Sequence, residues 1–279
     1  MGTMEGILVD ISEDELKTLK SQLSRLKLET RLRKDLGSEL DRQKTIAKNA
    51  ENLAKQRGDE IAEISRKLAK YLPEQLYSSI FSGETDVGVK SERKFLTIFF
   101  SDIVSFTQIS ENMEADLLTE MLNLYLTEMT ELVLENEGTL DKYIGDSIMV
   151  FFGDPRTSGK YLDALKCLEM AISMQKRMAV LGMDFVKKYN ISEPLKIRIG
   201  INSGFSTVGN FGNEKRLDYT VIGRPVNLAS RLETAAKPSS ILISESTYEL
   251  VKEDINLGDA GYFELKGIHD KVKTYEVIP

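Results

Sequence analysis

An α+β domain with a ferredoxin-like βαββαβ core and added strands, preceded by a long coiled-coil helix, is the fold class that this sequence predicts. Three observations predict it. Residues 11–72 are rich in Leu, Lys, Glu, Arg and Gln and contain no proline, which is a helical composition. From Phe95 onward, short apolar runs alternate with amphipathic stretches in the order strand, helix, strand, strand, helix, strand. Within that order, Gly145-Asp146 joins two apolar runs tightly, a hairpin signal.

Residues 1–10 are read as a tag or a disordered N-terminus, with a second methionine at Met4. The helix over 11–72 then opens on a capping box, Ser12 with Glu15. Leu16, Leu19, Leu23 and Leu26 fall at spacings of three and four on one stripe, the seam of a coiled coil. The seam weakens through Ala47, Ala50, Ala54 and Arg57, and Ile61, Ile64 and Leu68 restore it. Gly37 and Gly58 lie inside, each costing roughly 1 kcal/mol relative to alanine. A charged helix can also be a solvated spacer or pack on its own domain. Leucines at seam spacing are costly to leave exposed, which favours self-association. A weak seam can shift register; if an input sensor domain preceded it, a domain absent from this chain, the helix would be its transmission rod. Pro73 interrupts the pattern, and 73–93 reads as a short helix ending near Phe81 followed by a polar linker.

The compact domain spans 94–279. Phe95 to Phe100 reads as a strand covered on both faces, with Asp102 just past its end. Leu117, Leu118, Met121, Leu122, Tyr125, Leu126, Met129 and Val133 mark an amphipathic helix stopping at Gly138. Thr139–Ile144 and Ser147–Phe152 form the hairpin, and a second long helix runs from Tyr161 to about Phe185. Strands follow at Leu195–Ile201, Ser206–Asn210, Leu217–Ile222 and Ser240–Ser244, with a helix at Pro225–Ala236. A strand pair at Gly261–Leu265 and Lys273–Ile278 closes the domain.

Composition narrows the function classes. Lys+Arg total 37 against Asp+Glu 44, a net charge of -7, which argues against a polybasic nucleic-acid binder. The single cysteine, Cys167, cannot form an intrachain disulfide, and His269 is the only histidine, so a zinc site is not expected. Cys167 and the methionines read as packing residues. No run of eighteen apolar residues and no signal-peptide order occur, so a cytoplasmic chain without a membrane segment is expected.

Asp102 at the end of an apolar strand and Asp146 at a hairpin tip carry the chemistry. Taken singly, one reads as a cap and the other as a turn residue. On adjacent strands of one sheet, two carboxylates can share a hard divalent cation, whose other ligands come from phosphate and water. Asp141, beside Lys142, reads as an outward hairpin residue.

Four segments extend this reading. Phe100-Ser101-Asp102-Ile103-Val104-Ser105-Phe106-Thr107, Lys142-Tyr143-Ile144-Gly145-Asp146, Arg198-Ile199-Gly200-Ile201-Asn202-Ser203-Gly204, and Gly223 through Val226-Asn227-Leu228-Ala229-Ser230-Arg231-Leu232-Glu233 occur in that order. Together they resemble the signatures of the class III nucleotidyl cyclases, over about Phe95 to the C-terminus. The resemblance implies the class III cyclase fold and an adenylate cyclase of bacterial type, converting ATP to cyclic AMP and pyrophosphate. It implies two metal ions, Mg2+ or Mn2+, on Asp102, Asp146 and the carbonyl of Ile103. These would activate the ribose 3′-hydroxyl and bind the phosphate tail.

The same resemblance places Arg231 on the transition-state charge and Asn227 on the ribose. Arg198 would hold the terminal phosphates, and Lys266 is the nearest candidate for a further phosphate contact. Backbone N–H groups around Ser105, Phe106 and Thr107 would face the β- and γ-phosphates. Lys142 would donate to adenine N1, where guanylate cyclases carry glutamate, and Thr220 would accept from the adenine amino group. In the family the metal aspartates come from one catalytic domain and the remaining residues from its partner. A homodimer is therefore implied, joined through the catalytic domains and the N-terminal helix. The rival readings are a guanylate cyclase, which Lys142 opposes, and a non-catalytic cyclase-like signalling module.

Overall fold

The computed structural model describes residues 12–69, 77, 90–213, 215–265 and 271–278. They fall into two compact units divided between Leu68 and Ala69. The first holds all but the last residue of helix α1 (Glu13–Ala69), which is continuous through Gly37 and Gly58. Its capping box forms as expected: the Ser12 backbone N–H donates to Glu15 Oε2 at 3.1 Å, and the Glu15 N–H donates to Ser12 Oγ at 3.3 Å. Leu16, Leu19, Leu23, Leu26, Ile61, Ile64 and Leu68 are all exposed in the single chain. The short helix, Pro73 and most of the linker read between 70 and 89 lie outside the described residues.

In the second unit the elements run β1 (Ser91–Ile103), α2 (Phe106–Asn112), α3 (Ala115–Glu135), β2 (Thr139–Ile144), β3 (Ser147–Phe152), α4 (Lys160–Tyr189), β4 (Ile197–Asn213) and β5 (Arg216–Ile222). They continue with α5 (Arg224–Ala235), β6 (Ile241–Ser244), α6 (Glu245–Val251), β7 (Leu257–Phe263) and β8 (Val272–Val277). The sheet has the order β2-β3-β1-β4-β6-β8-β7, with β5 paired to β4. Its first four strands form the split βαβ pairs of a ferredoxin-like core: β1 lies antiparallel between β3 and β4, and β3 antiparallel to β2.

Strand alternation builds a core on each face. Phe99, Ile148, Val150, Ile199 and Ile201 pack with Met121, Met129, Met170 and Met174 from α3 and α4. Leu96, Ile98, Phe100, Met149 and Phe151 point the other way, onto Val208, Val221 and Ala229. The expectation that β1 is covered on both faces therefore holds. Cys167 is wholly buried, and burial pushes its thiol pKa well up, as befits a packing residue.

Helix α5 approaches β4 at Gly200, where a Cβ would fall on the backbone N of Glu233 and the carbonyl O of Ala229. Only a glycine allows this contact, which sets the helix carrying Asn227, Arg231 and Glu233 against the sheet. Gly200→Ala is expected to cost at or above the upper end of the roughly 1–3 kcal/mol typical of overpacking, because backbone rather than a flexible side chain must move. Urea denaturation would measure it, and an unchanged midpoint would contradict this account of the packing.

Several element boundaries differ from expectation. Strand β1 includes Ser91–Arg93, read as linker, and Asp102, read as lying past the strand. The two strands read on either side of Gly204 are the single strand β4. Polar Asn202 and Ser203, left between the two strands, are both buried and bonded: Asn202 Nδ2 donates to the Pro225 carbonyl at 2.9 Å, and Ser203 Oγ lies 2.8 Å from Thr97 Oγ1. Helix α6, capped by Ser244, was not expected. The closing strands begin earlier than read, with Gly261 inside β7 at a register slip. No described helix is long and apolar enough to cross a membrane.

Candidate active site

The end of β1 and the β2–β3 turn bring Asp102 and Asp146 side by side. Gly145 takes a positive φ of 66°, and the Asp146 carboxylate turns back to accept from the Ile103 backbone N–H, its Oδ2 at 3.0 Å. Ser147 Oγ donates to Asp102 Oδ1 at 3.0 Å, and Arg198 Nη2 donates to Asp102 Oδ2 at 2.9 Å. Burial alone would raise the Asp102 pKa, but hydrogen bonds with Asp146, Arg198 and Ser147 outweigh it and hold the group below its ordinary value. Burial and the adjacent Asp102 push Asp146 up to about 7.

Arg198 projects from β4, next to Asp102 in register, and spans two acids. Its Nε lies 2.6 Å from Glu233 Oε1, and its Nη1 donates to the Thr234 carbonyl at 3.2 Å. The Arg198 side chain as a whole is 28% exposed. Burial, with help from the Asp102 charge, raises Glu233 to about 7 against the opposing pull of Arg198. Glu233 thus belongs to this cluster, although sequence reading gave it no role beyond closing a motif. Ser147, directly after Asp146, was likewise not singled out.

Lys142 and Thr220 are brought together by Asp141. The reading of Asp141 as an outward residue is wrong: its side chain is 0% exposed. A β-bulge in β2 explains the error, because the register slips between Leu140 and Lys142, so simple alternation no longer gives the direction of the intervening residue. Thr220 Oγ1 donates to Asp141 Oδ2 at 2.6 Å, the Val221 N–H donates to the same oxygen at 3.4 Å, and Asp141 Oδ1 lies 3.4 Å from Lys142 Nζ. Tyr219, the neighbour of Thr220, donates to Asp154, which also pairs with Lys94 and so anchors β5 to β1.

Asn227 and Arg231 lie one turn apart on α5, as their spacing required. Arg231 Nη1 is buried and has no hydrogen-bond partner among the described residues. Among those residues, side-chain bonds join Asp102, Asp146 and Arg198 through Asp102 and its neighbours, and join Lys142 and Thr220 through Asp141. Asn227 and Arg231 are tied to neither cluster. Phe106 and Thr107 open α2 behind Ser105, which sits in the left-handed region at φ 59°. The first amide to bond back into that helix is Gln108's, leaving the preceding N–H groups as terminal donors. Lys266 and His269 lie outside the described residues.

The carboxylate pair fits a hard cation by its donor chemistry, since both side chains offer oxygen ligands. No group of three or more His, Cys, Asp or Glu residues suited to a metal occurs among the described residues, so a cation on this pair would draw its other ligands from backbone carbonyl, water or phosphate oxygens.

The sequence model for the adenylate and guanylate cyclase catalytic domain matches residues 89–279, and the chain belongs to that class III nucleotidyl cyclase family. Among solved structures, the adenylyl cyclase CyaB from P. aeruginosa is 50% identical, with a TM-score of 0.67 over 68% of this chain and 97% of that one. The guanylyl cyclase Cya2 is 32% identical, with a TM-score of 0.63 over 67% of this chain and 93% of that one. An adenylate cyclase of Anabaena cylindrica is 35% identical over 68% of this chain and 36% of its own length. The chain spans about a third or less of the length of the first curated cyclases it matches.

Proposed function

We propose that this chain is an adenylate cyclase that converts ATP to 3′,5′-cyclic AMP and pyrophosphate as a homodimer. Relatives of both base specificities share the fold, so the choice of base rests on the residues. Lys142 carries it: an ammonium donates to adenine N1 and opposes the N1–H of guanine, whereas a glutamate at that position would do the reverse. The 50% identity to a protein described as an adenylyl cyclase agrees with this.

Asp102, Asp146 and the Ile103 carbonyl would hold two divalent cations, Mg2+ or Mn2+, which supply Lewis acidity to the ribose 3′-hydroxyl and to the phosphate tail. Arg198, braced by Glu233, would hold the terminal phosphates, with the Phe106 and Thr107 amides assisting. Asn227 positions the ribose. Arg231 faces the charge that develops on the α-phosphate, and its unpartnered Nη1 is a donor available for that purpose. Lys266 is a further phosphate contact by resemblance.

The two clusters act across a dimer, with Asp102 and Asp146 of one protomer opposite Lys142, Thr220, Asn227 and Arg231 of the other. Helix α1 supports the pairing as a coiled coil, and its exposed leucines are the observation behind this. Replacing Leu19 and Leu23 by glutamate is expected to raise the protein concentration needed for half-maximal specific activity, measured beside sedimentation equilibrium. An upstream sensor acting through α1 and a cytoplasmic location complete the reading.

The test is to incubate purified protein with ATP, and separately with GTP, in Mn2+ over a protein concentration series. Cyclic AMP with specific activity rising with concentration supports an adenylate-selective dimer. Cyclic GMP as the main product refutes the reading of Lys142. No product with either nucleotide favours the non-catalytic module.

A further inference from the structure

We infer that Asp141 is a positioning residue for base selection, fixing the Thr220 hydroxyl as an acceptor and Lys142 as a donor toward the nucleotide base. The inference rests on the adenylate cyclase reading and assigns a role to a residue outside the motif positions. A threonine hydroxyl has one proton and two lone pairs, so left free it can serve an adenine amino group or a guanine carbonyl equally well. Here it is not free. Its proton is committed to Asp141 Oδ2 at 2.6 Å, which leaves only lone pairs for the base. The same carboxylate holds its other oxygen 3.4 Å from the Lys142 ammonium.

The two groups therefore present acceptor and donor side by side. That order complements the adenine edge, which offers an amino donor and the N1 acceptor. It opposes the guanine edge, which offers the O6 acceptor and the N1–H donor. Thr220 alone would leave the first half of this discrimination undefined. The carboxylate is itself held in place: the Val221 N–H donates to Oδ2, and the side chain is wholly enclosed. The bulge at Leu140/Lys142 is the backbone device that accompanies this inward placement.

The experiment compares kcat/KM for ATP and for GTP, with Mn2+, in the full chain and in the variants Asp141→Ala, Asp141→Asn and Thr220→Val. The ATP:GTP ratio is expected to fall about tenfold or more in Asp141→Ala, because the released hydroxyl can turn its proton toward guanine O6. The isosteric Asp141→Asn should fall part of the way, since its amide still offers a weak acceptor, and it preserves packing should the alanine variant fail to fold. In a Thr220→Val background, Asp141→Ala should change the ratio much less, because the hydroxyl it directs is gone. A merely structural Asp141 would lower both efficiencies by the same factor and leave the ratio unchanged, and that result overturns the inference while leaving the adenylate reading intact. A wild-type protein that prefers GTP overturns both.

Discussion

Replacing Asp146 with asparagine is expected to lower cyclic AMP formation by roughly 10²–10³-fold, the loss that follows from several kcal/mol of transition-state stabilisation. The variant should not be less stable in cation-free buffer. The two outcomes share one cause. Asp146 is pushed to about 7 from an ordinary 3.8 because burial and the neighbouring Asp102 disfavour its charge. Between those two values the folded state keeps a proton that the unfolded chain has released. Stability attributable to this group therefore falls as pH rises through that window. Asparagine removes the titration, so the variant's melting temperature relative to wild type should be more favourable at pH 8 than at pH 5 in EDTA. Added Mn2+ should raise the wild-type melting temperature more than the variant's. Undiminished cyclase activity in Asp146→Asn would remove the carboxylate pair from the mechanism.

Part of this site could be read from the sequence because local chemistry fixes it. The β2–β3 hairpin fell where it was read, since a glycine at positive φ between two apolar runs leaves little alternative. Asn227 and Arg231 share a helix face through spacing alone. Other features depend on distant parts of the chain. Asn202 and Ser203 looked like a break in β4 because their partners, Pro225, Thr97 and Thr247, come from other elements. Asp141 was misread for a similar reason: a bulge inverts alternation without a composition signal, and its partner Thr220 is 79 residues away. Glu233 closed a recognised motif, yet its role depends on Arg198 meeting it across the sheet, which the glycine at Gly200 permits and no local pattern reveals.

If the site is divided between two chains, as proposed, mixing variants gives a result that no single-chain site can give. Asp146→Asn alters the carboxylate half, and Arg231→Ala alters the half proposed to carry the transition-state arginine. Each variant alone should be nearly inactive, because both of its symmetry-related sites carry the lesion. Mixing the two and allowing exchange creates heterodimers in which one site collects both lesions and the other collects neither. Random pairing makes half of the dimers mixed, each with one intact site of two, so activity should recover to about a quarter of wild type. Recovery should follow the rate of subunit exchange, which would be slowed by a strong α1 seam and hastened by glutamate at Leu19 and Leu23. The measurement is cyclic AMP formed by the 1:1 mixture over time, beside each variant at the same total concentration. Two complete sites within single chains would yield no recovery at any time, and the split between the Asp102–Asp146 cluster and the α5 residues would then have no catalytic meaning.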